Sequence, residues 1–156
     1  MPVTPYHFGP ALVVKGVLKT RFCLIAFAIS QIIIDLESAY HLMNQNYPVH
    51  RFLHSYLGAT IAALVTILIT RYFGKFFKLN LSRKAIIIAS FFGGYSHVIL
   101  DSIMHQDMRP FFPTSETNIL LQIIDLPTLH GLCFYSGILG LVILTWQHLK
   151  KLRETN

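Results

Sequence analysis

Eight histidines and seven acidic residues are scattered along this 156-residue chain, and their spacing is what suggests chemistry. His50 and His54 stand four apart. On a helix begun near Pro48 they would lie one above the other, and two imidazoles so placed can grip one metal ion. His97, Asp101 and His105 repeat the four-residue step twice, drifting only about 80° around a helix in all. Imidazole and carboxylate ligands together suit zinc, manganese or iron. Asp101 also sits in an apolar run, where a bare carboxylate costs about 3 kcal/mol to insert into a membrane. A partner cation is expected. With His97 and the groups at Asp35 and His54 at the same level, a metal is the economical one. Arg51 and Arg109 have two readings, as anchors at the lipid headgroups or as clamps on a substrate phosphate or carboxylate. For His41, His148 and Asp125, hydrogen bonding to a neighbouring helix is the expected role.

The elements that must position these groups are membrane helices. Hydrophobic residues make up 53% of the chain and charged ones 13%, against about 25% charged in an ordinary soluble domain. This excludes a disordered chain and argues against a water-soluble globule. Nineteen residues without Asp, Glu, Lys or Arg separate Arg51 from Arg71, and twenty-four separate Asp125 from Lys150. Both runs are long enough to span a bilayer. Two shorter runs, Phe22 to Ile34 and Ala85 to Leu100, each end on a carboxylate, and buried polar ends let such helices be short. Basic residues precede the first run, yet it continues to Ile34, so a retained helix is expected and not a cleaved signal peptide. Cys23 and Cys133 lie in apolar runs and read as small buried hydrophobes.

Eleven of the thirteen basic residues fall in three groups: Lys15 to Arg21, Arg71 to Lys84, and Lys150 to Arg153. Alternation of four spans puts all three on one side, and the positive-inside rule makes that side cytoplasmic. The net charge of +6 is therefore a topology signal, and no nucleic-acid partner is expected. His41, His50, His54, His97, His105 and His130 then share the opposite, outer side.

The chain resembles the YdjM-like family of predicted membrane-bound metal-dependent hydrolases. The matching elements are an early His7, the acidic pair Asp35-Leu-Glu37, His50-Arg51 with His54-Ser55, and Gly94-Tyr-Ser-His97 with Asp101. The family is distantly similar to zinc-dependent phospholipase C, an all-helical enzyme whose metals are held by His and Asp. The resemblance implies His7, Asp35, His54, His97 and Asp101 as metal ligands, with His50 as a further candidate. His105 and Asp107 rest on geometry alone. The family often has two aspartates where this chain has Asp35 and Glu37, which leaves Glu37 open as ligand or base. His7 can reach the cluster if the segment Phe8 to Leu18 inserts. Pro10 fits a first helical turn there, and insertion is expected.

The resulting expectation is one all-α domain over residues 1–156, with four main transmembrane helices and a short N-terminal one. It would sit in the inner or cell membrane, with a site of one to three divalent metals, zinc first among them, facing the outer side. The activity implied by the resemblance is hydrolysis of a lipid ester or phosphodiester by metal-activated water. Glu37 is the base candidate, Asp107 the runner-up, and Arg51 and Arg109 would hold substrate. The competing readings are a protein that binds or transports a divalent metal, and a structural protein with a polar network. Transport requires polar residues through the full depth of the helices, whereas Ala62 to Ile69 and Gly137 to Leu144 are nearly all apolar.

Overall fold

The computed structural model describes residues 4–155, which form five helices: α1 (Thr4–Leu18), α2 (Leu24–Met43), α3 (Tyr56–Phe76), α4 (Arg83–Met104) and α5 (Leu126–Thr155). Short 3-10 turns at Lys19–Arg21 and Phe52–His54 complete the described secondary structure, which contains no strand. Helices α2 to α5 run for 20, 21, 22 and 30 residues, each long and apolar enough to cross a membrane. The expected all-α architecture of four long helices and a shorter N-terminal one is what the chain adopts.

Helix α4 is the centre. It packs against α2 and α3, which also touch each other, while α5 lies mainly along α1. Residues on the inner faces are mostly small: Ala26, Ala59, Ala62, Ala63, Ala85 and Ala89 are all buried. Large apolar side chains such as Ile32, Leu64, Leu68 and Val142 point outward. Membrane helices behave this way, because lipid already solvates leucine and association depends on close backbone approach. Gly93 of α4 is one such contact, since a Cβ there would stand 2.0 Å from Ser30 Oγ on α2.

Three boundaries differ from the sequence reading. Helix α3 starts at Tyr56 and not near Pro48, because Ser55 caps it: its Oγ accepts the Gly58 amide at 3.0 Å. His50 and His54 therefore sit on the connecting segment and not one above the other on a helix. Helix α2 runs past the acidic pair to Met43. Helix α1 already includes Thr4, which places Pro10 inside it and not in its first turn.

Candidate metal centre

Four ligand atoms, one each from Asp35, His54, His97 and Asp101, lie within 4.8 Å of one another. They come from three local structures. Asp35 is carried by α2, His97 and Asp101 occupy one face of α4 a turn apart, and His54 ends the 3-10 turn that leads into α3. His97 Nε2 stands 3.1 Å from Asp101 Oδ2 and 3.4 Å from Asp35 Oδ1. His54 Nε2 approaches the same Asp101 oxygen at 3.7 Å. His7, from α1, brings its Nε2 to 3.2 Å from Asp101 Oδ1. Asp101, His54 and His97 have no exposed surface and His7 has 1%.

Gln31, which the motif reading did not single out, organises this group. Its Oε1 accepts from Nδ1 of His7 at 3.0 Å and from Nδ1 of His97 at 2.8 Å. Its Nε2 donates to the Gly93 carbonyl at 2.9 Å, which fixes which end of the amide is oxygen. An amide oxygen has no proton to give, so both Nδ1 atoms carry one. In the neutral rings both Nε2 atoms are then bare lone pairs aimed at carboxylate oxygens. These atoms, with His54 Nε2 and both Asp101 oxygens, are buried and without a hydrogen-bond partner. Acceptors facing acceptors in a dry site repel. A divalent cation placed among them would meet lone pairs that protons could meet only by creating more than one buried imidazolium. The donor set of imidazole nitrogens and carboxylate oxygens fits zinc, manganese or iron.

A second group adjoins the first. Single ligand atoms of His50, Asp101 and His105 lie within 4.8 Å of one another, and the His50 and His105 rings stack at 4.3 Å. Asp107 stands behind His50, its Oδ1 2.7 Å from Nδ1 and its Oδ2 accepting the amides of Val49 and His50. Burial works to raise the Asp107 pKa, but the His50 bond and the two amides outweigh it and hold the carboxyl below its ordinary value. Burial depresses the pKa of both His50 and His105, which favours the neutral form of each ring.

Glu37 plays the corresponding part behind His54. Its Oε2 accepts the Leu53 amide at 2.7 Å and lies 3.7 Å from His54 Nδ1. The structure thus places Asp35, His54, His97 and Asp101 in one group and His50, Asp101 and His105 in a second, with His7 against Asp101. Glu37 and Asp107 lie at their margin, each against an imidazole. Arg51 and Arg109 share a pocket of about 390 Å³ with Pro48, His50, Phe52 and Phe112. Arg51 Nε donates to the Pro48 carbonyl, and Arg109 pairs with Glu116 at 3.2 Å.

Other titratable groups stand apart. His130 stacks on Tyr6, His41 packs on Tyr40, and His148 is exposed far along α5. Asp125 bonds within its own helix start and not to a neighbouring helix, accepting the Thr128 amide. Cys23 and Cys133 are free and buried.

Fold and site together define a membrane-spanning helical bundle built around a buried cluster of histidines and carboxylates. The chain belongs to the YdjM inner membrane protein family, whose sequence model matches residues 11–153. Family membership and four apolar spans agree on an inner membrane protein. No curated protein and no solved structure matches the chain.

Proposed function

We propose that this protein is a membrane-bound metal-dependent hydrolase acting on a lipid ester or phosphodiester. The observation that carries the reading is the convergence of bare imidazole nitrogens from His7, His54 and His97 on the Asp101 carboxylate. A cation held there would polarise a carbonyl or phosphoryl oxygen and make water a nucleophile near neutral pH. Zinc is the first candidate. Glu37 takes the proton: its Oε2 is pinned by the Leu53 amide beside His54, while Asp107 has both oxygens engaged on the His50 segment. Arg51 and Arg109 supply guanidinium donors to an anionic group in the pocket that His50 helps to line. Phe52 and Phe112 give that pocket apolar walls, a combination suited to a lipid headgroup with its first carbons.

Transport is the weaker reading. Towards the Arg71 to Arg83 link, the buried polar groups of α3 and α4 are the hydroxyls of Thr66, Thr70 and Ser90, with no carboxylate or imidazole to pass an ion onward. The test is elemental analysis of detergent-purified protein, beside its His97→Ala variant, coupled to an assay on lipid esters and phosphodiesters. Bound metal that His97→Ala removes, together with metal-dependent hydrolysis, is the expected result. Metal without hydrolysis would favour binding or transport, and no metal would favour a structural polar network.

A further inference from the structure

We infer a second cation position, held by His50, Asp101 and His105, so that the Asp101 carboxylate is shared between two cations. The inference deepens the metal reading above and rests on it. Its ligand atoms lie within 4.8 Å of one another without any contribution from Asp35, His54 or His97. Asp101 is the one residue common to both groups, and a carboxylate has two oxygens with which to bridge.

The state of His50 carries the inference furthest. Its Nδ1 is committed to Asp107 Oδ1 at 2.7 Å, and a carboxylate there accepts the ring proton. The remaining nitrogen, Nε2, is a lone pair that is buried and without a hydrogen-bond partner, as is Nε2 of His105. A carboxylate that holds one ring nitrogen while the other is left bare is the arrangement that orients a metal-ligating histidine. The first group uses Gln31 for this purpose on His7 and His97. Two independent supports of the same kind, on rings of different elements, converge on one aspartate. A structural role for the His50–Asp107 bond alone would leave the stacked His105 ring and its orphaned nitrogen unexplained.

The second position differs from the first in its surroundings. His50 is also in the wall of the Arg51–Arg109 pocket, whereas the rings of His54 and His97 are fully enclosed. Cations of the same class fit both, since the donors are again nitrogen and oxygen.

The test is metal counting on the full-length protein in detergent, after loading with zinc and removal of free ion. The wild type should hold about two zinc ions per chain. His50→Ala and His105→Ala should each lower the count by about half, and Asp101→Asn should lower it further. Loading with manganese should give the exchange-coupled spectrum of a carboxylate-bridged pair by electron paramagnetic resonance. One zinc per chain, unchanged in His105→Ala, would overturn the second position and leave the first intact. No zinc in the wild type would overturn both. Two zinc ions in a protein without hydrolytic activity would support the second position while removing the hydrolase reading. If the alanine variants do not fold, the wild-type count and the manganese spectrum still decide.

Discussion

Gln31 Oε1 lies 2.8 Å from His97 Nδ1, in the interior of a helix pair where no water is needed to join them. The bond does more than satisfy a buried amide. It sets the histidine tautomer and turns the other ring nitrogen towards Asp101 and Asp35. The same oxygen does this for His7, so one side chain of α2 prepares ligands on α1 and α4.

Replacing Gln31 should therefore loosen metal without touching a ligand. Gln31→Leu removes the acceptor for both rings and should weaken metal affinity by about 10- to 100-fold. Gln31→Glu keeps an acceptor and should retain more. Chelator competition on the purified variants measures both. Equal affinity in Gln31→Leu and wild type would remove the orienting role.

Asp101 and Asp125 provide a matched pair of substitutions. Asp101→Asn keeps side-chain volume but removes the charge that a cation needs, so bound metal should fall sharply. Asp125 is exposed and accepts the Thr128 amide at the start of α5. Asparagine serves equally well at such a helix start, and Asp125→Asn should leave the metal content near that of wild type. Equal losses in elemental analysis would indicate a general folding defect.

Much of this was legible in the chain because apolar runs of membrane length are hard to read otherwise, and because His97 and Asp101 keep helical register. Three features were not. Gln31 stands four residues before Asp35, on the same helix face, and that spacing was the only signal of its part. His54 reaches the cluster from a 3-10 turn and not from a helix, since Ser55 caps α3 later than the apolar pattern suggests. Glu37 lies about 200° around the helix from Asp35, and α2 runs on past both to Met43. Glu37 still borders the cluster because the Phe52–His54 turn comes to it through the Leu53 amide. Contacts made by a connecting segment to a helix leave no periodic trace in the sequence.

Sidedness is open to direct measurement. The positive-inside rule assigns the basic α3–α4 link to the cytoplasm, and the α4–α5 connection should then face outward with the pocket of Arg51 and Arg109. Lys78 and Thr114 are exposed in these two segments. Cysteines placed there should react with an impermeant reagent from opposite sides, with little background from the buried Cys23 and Cys133. Labelling of both from one side would sink this topology.

The most searching prediction concerns the proton. A hydrolytic centre needs a group that accepts a proton from water without being consumed as a ligand. Glu37 borders the cluster without joining either ligand group: its Oε2 accepts the Leu53 amide and stands 3.7 Å from His54 Nδ1, on the ring edge opposite the one that faces Asp101. Glutamine at 37 can still accept that amide, so Glu37→Gln should fold and should keep the 3-10 turn that presents His54. It cannot take up a proton at neutral pH. Metal content should therefore stay near wild type while hydrolysis of a lipid ester or phosphodiester falls by about 10²-fold or more. Loss of metal in this variant would reassign Glu37 as a ligand. Full activity with metal retained would move the role to Asp107, whose Oδ1 occupies the equivalent place behind His50. A wild-type protein that holds metal but cleaves no lipid ester or phosphodiester would leave the base without a reaction to serve, and the binding or transport reading would take over.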